Sequence, residues 1–413
     1  MSKKSLAGTR PMRVYFSPCG LGLGHVGRCY PIAKELEKRG IQTKFSTYLE
    51  GLKFLKAENV SVIEAPPVAA QVKPDGTIDF ARTAANPGPF IASYILTRQV
   101  IAEIEYMKAF KPDVVVSDSR ASPIIAAKLL GIPHLCLTNQ FQVIIPRRRR
   151  FLRLAKLADM ISLTFIGKIW TSGLTLIPDF PEPYTISLGN LNIPKSYRKK
   201  VRLIGPIINI RPEQLPSKEE LKKKLNLDDR PIIFAPISGP VKERAYFTGL
   251  LRKFFMEFPE QYQIVMSLGY PNASIDPIQH GNLRIYRWMD NQTRFEYLKA
   301  CDLVISRAGH GTISQSMYYG KPMILIPTPS HTEQENNARR AVQIGIAKLK
   351  EQQQLTKKEL LGSIKEIFEN GEAHKRVQEV QRDVLKINGL RKAVEIILKM
   401  AEGEENVSAS QNN

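Results

Sequence analysis

Short apolar runs rich in β-branched residues alternate with helical patterns along almost the whole chain, and they do so in two separate series. The first series gives strands at Arg13–Ser17, Gln42–Tyr48, Ser61–Ala65, Asp113–Ser117, His134–Thr138 and Thr175–Pro178. Between them lie helical patterns at Val26–Arg39, Phe90–Phe110, Ser122–Leu130 and Phe151–Lys168. The second series has strands at Ile232–Pro236, Gln263–Ser267, Leu283–Tyr286, Leu303–Ser306 and Pro322–Pro327. Strands alternating with helices in this way build βαβ units and a parallel sheet. At 413 residues the chain is too long for one ordinary core, so two domains are expected.

The proline-containing stretch Pro206–Pro216 falls between the two series and reads as the hinge. The expected class is therefore α/β, with two doubly wound Rossmann-like domains facing across a cleft and helices at the C-terminal end. The expected boundaries are a basic N-terminal extension over 1–11, a first domain over 12–205, the hinge over 206–216 and a second domain over 217–386. A C-terminal helix over 387–401 and a polar, disordered tail over 402–413 complete the chain. Open sheets of this kind bind ligands at the carboxyl ends of their strands.

Two stretches at such strand ends carry the chemistry. The first, "PCGLGLGHVGR" (Pro18–Arg28), places Gly20, Gly22 and Gly24 just before His25 and an expected helix. Glycines let backbone N–H groups approach an anion, and the helix start adds a favourable dipole. The match to a dinucleotide fingerprint is loose, because no helix-packing glycine stands in register and Glu50 is a poor candidate for the acidic partner. The other reading is a tight turn with an incidental histidine. The second stretch, "CDLVISRAGHGTISQSMYYGKPMILIPTPSHTEQENNA" (Cys301–Ala338), is more specific. It reads as strand, glycine loop, helix and strand, then a loop opening another helix. "RAGHGT" leaves backbone N–H groups at a helix start, suited to a diphosphate. "HTEQENNA" presents carboxylates and amides, which are partners for polyhydroxyl ligands.

This run resembles the donor-binding region of two-domain GT-B glycosyltransferases, nearest to the MurG-type N-acetylglucosaminyltransferases and more distantly the glucuronosyltransferase type. The residues that carry the resemblance are Gly309, Thr312, Gly320-Lys321-Pro322, Pro327, Gln334 and Asn337-Ala338, in matching order. "CGLGLGHVGR" is similar to that family's first loop, a glycine-rich turn ending in His, with Gly22 and Gly24 in the part that admits the acceptor. The resemblance implies that Gly309, His310, Gly311 and Thr312 contact a nucleotide diphosphate, with Arg307 beside them. It also implies that Ser238 and Gly239 form a second phosphate-facing turn, that Met289 borders a uracil, and that Glu333 and Gln334 bind sugar hydroxyls. One position departs from the pattern: where the family has a glutamate on the ribose hydroxyls, this chain has Gln315. A neutral amide forgoes charge-assisted hydrogen bonds, which are roughly twice as strong as neutral ones.

Such an enzyme needs a base opposite the donor. His25 has the right location, since an ordinary imidazole titrates near neutrality. Asp118, ending a strand on the cleft side, either orients His25 or the acceptor, or caps the helix from Ser122. His134 reads as structural, and Trp170 and Trp288 as packing residues. Leaving-group charge would fall to the helix start after Gly311 and to Arg307. No carboxylate pair has convincing metal spacing, so neither a metal nor a cofactor beyond a UDP-sugar co-substrate is expected.

A formal charge of +21 attracts polyanions. The segment Ile144–Trp170 joins a basic cluster to an apolar helical pattern, which suits either an anionic membrane surface or an ordinary helix with a solvated basic start. The resemblance points to the former, with a polyprenyl- or dolichyl-phosphate-linked acceptor at the cytoplasmic face. The N-terminal residues show no signal-peptide core, and Cys19, Cys29, Cys136 and Cys301 have no ligand spacing, in keeping with a reducing cytosol. Three functions follow: an inverting transferase moving N-acetylglucosamine from a UDP-sugar to a lipid-linked or other hydroxyl acceptor, a UDP-sugar 2-epimerase of the same architecture, and a non-catalytic polyanion binder. No nucleic-acid motif supports the last, and no pattern reads out an oligomeric state.

Overall fold

The computed structural model describes residues 10–67, 88–139, 167–191, 193–239, 241–270 and 273–403. The extension up to residue 9, the basic cluster and expected helix up to residue 166, and the tail from residue 404 lie outside the described residues.

The first domain holds strands β1 (Arg13–Pro18), β2 (Gln42–Thr47), β3 (Val62–Glu64), β4 (Val114–Asp118), β5 (His134–Leu137), β6 (Leu174–Ile177) and β7 (Val201–Leu203). They form one parallel sheet in the order β3-β2-β1-β4-β5-β6-β7. Helices α1 (Gly24–Glu37), α2 (Leu49–Ala57), α3 (Gly88–Phe110) and α4 (Ser122–Leu129) link its strands. Val114, Val115 and Val116 are all fully buried, as expected of a strand covered on both faces. Along α1 the buried residues Val26, Cys29, Ile32, Ala33 and Leu36 recur at helical spacing and pack on that sheet.

After the short helices α5 (Leu188–Leu191) and α6 (Lys218–Lys224), the second domain repeats the plan. Its strands are β8 (Ile232–Pro236), β9 (Gln263–Ser267), β10 (Ile278–His280), β11 (Leu283–Tyr286), β12 (Leu303–Ser306), β13 (Met323–Leu325) and β14 (Ala347–Leu349). Their order is β10-β11-β9-β8-β12-β13-β14, with β10 antiparallel. The helices are α7 (Val241–Phe255), α8 (Asn291–Ala300), α9 (His310–Tyr318), α10 (Thr332–Ile344), α11 (Lys357–Asn370), α12 (Glu372–Val384) and α13 (Gly389–Ala401). The ten longer expected strands are present within a residue or two of their expected ends, as is β3. The short strands β7, β10 and β14, three residues each, carry too little pattern to be read.

Both sheets reverse strand order beside their central strand. In the first, β1 lies between β2 and β4; in the second, β8 lies between β9 and β12. A crevice opens at such a reversal, and the loops after β1, β8 and β12 border the same cleft.

The chain also trades segments between the domains. Phe180 and Ile186, just beyond β6, join the second domain's core, where Phe180 stacks on Tyr318 at 5.7 Å. In return, Ala393, Val394 and Ile397 of α13 pack into the first domain's core. The two crossings meet at Gly205 and Gly389, where a Cβ on Gly389 would lie 2.0 Å from the Gly205 carbonyl oxygen. Only a glycine permits that approach.

Candidate functional site

A cavity of about 660 Å³ lies between the domains. On its first-domain side, α1 begins at Gly24, two residues earlier than the sequence pattern suggests, so His25 stands in the helix's first turn. The β1–β4 register pairs Pro18 with Asp118, which brings the glycine turn and that carboxylate together. His25 Nδ1 lies 2.7 Å from Asp118 Oδ1. One helical turn on, Arg28 grips the same carboxylate at both oxygens, Nε to Oδ2 at 2.5 Å and Nη2 to Oδ1 at 2.6 Å. The N-cap of α4 is Ala121, with no side-chain cap. Asp118 is therefore engaged with His25 and Arg28 rather than with the helix.

Asp118 is fully buried. Burial pushes its carboxyl up, but Arg28 and then His25 more than offset this and hold it below the usual carboxylate range. An ionised Asp118 requires a proton on His25 Nδ1. Arg28 Nη2, 3.0 Å from the same nitrogen, then spends its hydrogen on the carboxylate. That tautomer leaves Nε2 as the basic nitrogen of a residue that borders the cavity. Gly22, at φ 72°, and Gly24 border it too, and a Cβ on Gly24 would meet nothing within 4 Å.

The opposite wall is built on α9. Gly309 is its N-cap, no side chain caps it, and its first turn has no acidic residue. Hypothetical Cβ atoms on Gly309, Gly311 and Gly239 meet nothing within 4 Å. Bare N–H groups facing open space form an anion site. Ser238 and Thr312 border the same space, as do Met289 and the buried hydroxyl-bearing Ser314. Trp288 sits edge-on to Phe54 of the first domain at 6.2 Å and closes one end.

Several side chains are already engaged. Arg307 donates to the carbonyl of Ile326 at 3.0 Å and to Gln352 at 2.5 Å, with its guanidinium carbon 3.9 Å from the Phe247 ring centre. Burial lowers its pKa to about 10. Arg307 thus braces the end of β13 while bordering the cavity. Gln315 Oε1 accepts from Arg294 at 2.7 Å. Glu333 accepts from Asn139 of the first domain at 2.7 Å, and Gln334 Oε1 accepts the N–H of Thr328 at 2.9 Å. Glu243, raised by burial, also borders this corner. His310 Nε2 lies 3.2 Å from Asp179 Oδ2, in ion-pair range but off the angle of a good hydrogen bond.

Sequence reasoning did not find Arg28, Asn139, Asp179, Glu243, Arg294 or Ser314. Only Arg28 left a signal, since it follows His25 by one helical turn and so shares its face. Asn139, Glu243, Arg294 and Ser314 reach the cavity by tertiary packing, and Asp179 lies behind it, against His310. His134 is bonded to the Ile132 carbonyl and to Ser172, away from the cleft. Among the described residues no group of three or more His, Cys, Asp or Glu gathers as a metal site, and no helix is long and apolar enough to cross a membrane.

Residues 245–396 match the Glycosyltransferase family 28 C-terminal domain. Along nearly its whole length the chain is similar to an uncharacterized glycosyltransferase of Methanosarcina mazei, at 26% identity over 94% of this chain and 99% of that protein. It is also similar to the UDP-N-acetylglucosamine–N-acetylmuramyl-(pentapeptide) pyrophosphoryl-undecaprenol N-acetylglucosamine transferase of Desulforamulus reducens, at 26% identity over 95% and 98% of the two chains. Among solved structures, CalG4, the calicheamicin glycosyltransferase, superposes with a TM-score of 0.61 at 18% identity, covering 96% of this chain and all of that one. With two facing doubly wound sheets, an anion site on the second and these matches, the chain is a glycosyltransferase of the GT-B fold whose second domain is of the family 28 C-terminal type.

Proposed function

We propose that the protein is an inverting transferase that moves a sugar, N-acetylglucosamine as the first candidate, from its UDP conjugate to a hydroxyl of a polyprenyl- or dolichyl-phosphate-linked acceptor. The observation that carries this reading is the His25–Asp118 pair, set across the cavity from the uncapped start of α9. In a single displacement His25 Nε2 takes the acceptor's hydroxyl proton, and the oxygen attacks the anomeric carbon. The bond to the nucleotide diphosphate breaks on the opposite face, and its electron pair leaves with the diphosphate. The N–H groups at the start of α9 meet that charge with no reorganisation. Glu333 and Gln334 hold sugar hydroxyls, and Ser238, Gly239, Gly309, Gly311 and Thr312 surround the diphosphate.

The relative named as a UDP-N-acetylglucosamine transferase supports both the donor and a lipid-pyrophosphate acceptor. The charge of +21 favours an anionic membrane surface, and the reaction would take place at the cytoplasmic face. Neither the epimerase nor the polyanion-binder reading has an observation of its own. The test is incubation with a panel of UDP-sugars with and without lipid extract, following UDP release and glycolipid formation. The expected result is UDP release that requires both the N-acetylglucosamine donor and lipid, and that is lost in His25→Ala. Lipid-independent release of a new sugar nucleotide would replace transfer by epimerisation.

A further inference from the structure

The segment that crosses onto the second domain brings a carboxylate that the reaction above does not use. Asp179 is fully buried. It accepts the backbone N–H groups of Phe180 at 2.7 Å, Ile186 at 3.2 Å and Ser187 at 2.7 Å, and the Ser187 hydroxyl at 2.5 Å. Those donors are neutral, so they orient the carboxylate without cancelling its charge. Such donors favour the ionised form, and a counter-charge close by offsets the cost of burial further. Among the described residues, the group within ion-pair distance that can supply one is His310, at 3.2 Å. Burial pushes the Asp179 carboxyl up, and His310 and then Ser187 bring it below the ordinary range.

His310 is only 6% exposed and is the first residue of α9. A helix start is positive, so an imidazolium is unfavourable there unless an anion lies close by. Asp179 is one such anion. A diphosphate in the space above Gly309 and Gly311 would be a second, and His310 borders that space. The first domain offers the contrast. Asp118 already has a permanent cation in Arg28, so His25 need not be charged and can act as a base.

We infer that Asp179 is a positioning residue for the leaving group, holding His310 as an imidazolium at the start of α9 so that one side of the ring pairs by charge with Asp179 and the other ring N–H meets a phosphate oxygen of the donor. The inference rests on reading the cleft as a nucleotide-sugar site. It adds no covalent step. As the anomeric carbon–oxygen bond breaks, the electron pair goes to the terminal phosphate oxygen, and the imidazolium stabilises the charge that appears there. The site is complete only with the crossing segment docked, which Asn190 secures by hydrogen bonds to Asn336 at 2.8 Å and Asn337 at 3.0 Å.

The test is calorimetric binding of nucleotides to the full chain. UDP, dTDP and GDP are offered first to the unaltered protein. If none binds, the nucleotide-sugar reading fails before any variant is made. With the diphosphate that binds, its affinity and that of the matching nucleoside are measured for Asp179→Asn, His310→Gln and the double variant. The expected result is a loss of about tenfold for the diphosphate in Asp179→Asn and under twofold for the nucleoside. The sign should reverse in the His310→Gln background, where Asp179 is only a buried anion near another anion. There, Asp179→Asn leaves diphosphate affinity unchanged or improves it. Equal losses in both backgrounds, or equal losses for nucleoside and diphosphate, would mean that Asp179 merely supports the fold and would overturn the inference. Should Asp179→Asn fail to fold, His310→Gln alone decides, since diphosphate binding as tight as in the unaltered protein would equally overturn it.

Discussion

Each wall of the cleft carries a histidine on a buried aspartate, and the two pairs differ in what else holds the carboxylate. Asp118 is clamped by Arg28 at both oxygens, whereas Asp179 is held by three backbone N–H groups and one hydroxyl. The first carboxylate thus has a permanent cation beside it, whereas the second has a histidine as its partner at ion-pair distance. On the readings proposed above, the first histidine takes a proton and the second keeps one. Exposure follows the same division, with the side chain of His25 at 23% and that of His310 at 6%. On the proposed reading, the first meets an incoming hydroxyl and the second faces the diphosphate of the donor.

Removing the proposed base should give the largest effect. His25→Ala is expected to lower kcat by about a thousandfold, the middle of the range for a positioned general base, while leaving nucleotide affinity within twofold. Steady-state kinetics with calorimetry on the same preparation separates the two quantities. A fall in affinity comparable to the fall in kcat would place His25 with the donor and dissolve the contrast.

Converting one pair into the likeness of the other comes next. In Arg28→Met, Asp118 loses its permanent cation, and His25, the charged partner left to it among the described residues, would hold the proton that the proposed reaction has it accept. Turnover at neutral pH is expected to drop by about a hundredfold. Stability should fall by about 3 kcal/mol, in the manner of a buried pair deprived of one partner, as read from denaturant melts. Arg28→Lys restores charge but not the two-pronged grip, and should recover only part of each loss.

Acid offers a smaller and shared effect. Both aspartates are held below the ordinary carboxylate range in the fold. A carboxyl of that kind contributes its full stability above its unfolded pKa, about 3.9 for aspartate, and the contribution is lost as pH falls through the lower folded value. Denaturant midpoints measured from pH 6 down to 2.5 should therefore fall with acid more steeply in the unaltered chain than in Asp118→Asn or Asp179→Asn. A variant curve parallel to that of the unaltered chain would mean that its aspartate is not ionised in the fold.

The sequence exposes one pair far better than the other, for a physical reason. His25 follows three glycines at a strand end, and Asp118 ends a run of valines, so both sit where strand order and turn chemistry can be read locally. Even so, the pattern starts α1 at Val26, and this hides that Arg28 lies one turn beyond His25 on the same face. Asp179 has no such local mark. It reaches His310 only because Phe180 and Ile186 bury themselves in the other domain's core, a tertiary event that no period of two or 3.6 encodes. The same holds for Arg307. Its place beside the glycine loop is legible, yet its Nη1 and Nη2 donate to the Ile326 carbonyl and to Gln352, the latter 45 residues away.

Gln315 supplies the last contrast, since its partner is a half-buried arginine rather than a histidine on a carboxylate. The resemblance read from the sequence implies a carboxylate where this chain has an amide; the structure adds that Arg294 donates to it and that burial lowers the pKa of this arginine to about 10. Where the two histidines sit beside carboxylates, this cation has a neutral amide acceptor and the face of the Phe295 ring, 4.6 Å away. Gln315→Glu would make a third pair in the cleft. It should stabilise the second domain by about 1 kcal/mol, because a partly screened pair gains little. It should also sharpen discrimination between UDP and its 2′-deoxy counterpart by about fivefold, since a carboxylate forms stronger bonds to ribose hydroxyls than an amide does. Thermal melts give the first quantity and competition calorimetry the second. If stability rises while discrimination stays flat, the new carboxylate is spent entirely on Arg294, and the ribose is held elsewhere in the cleft.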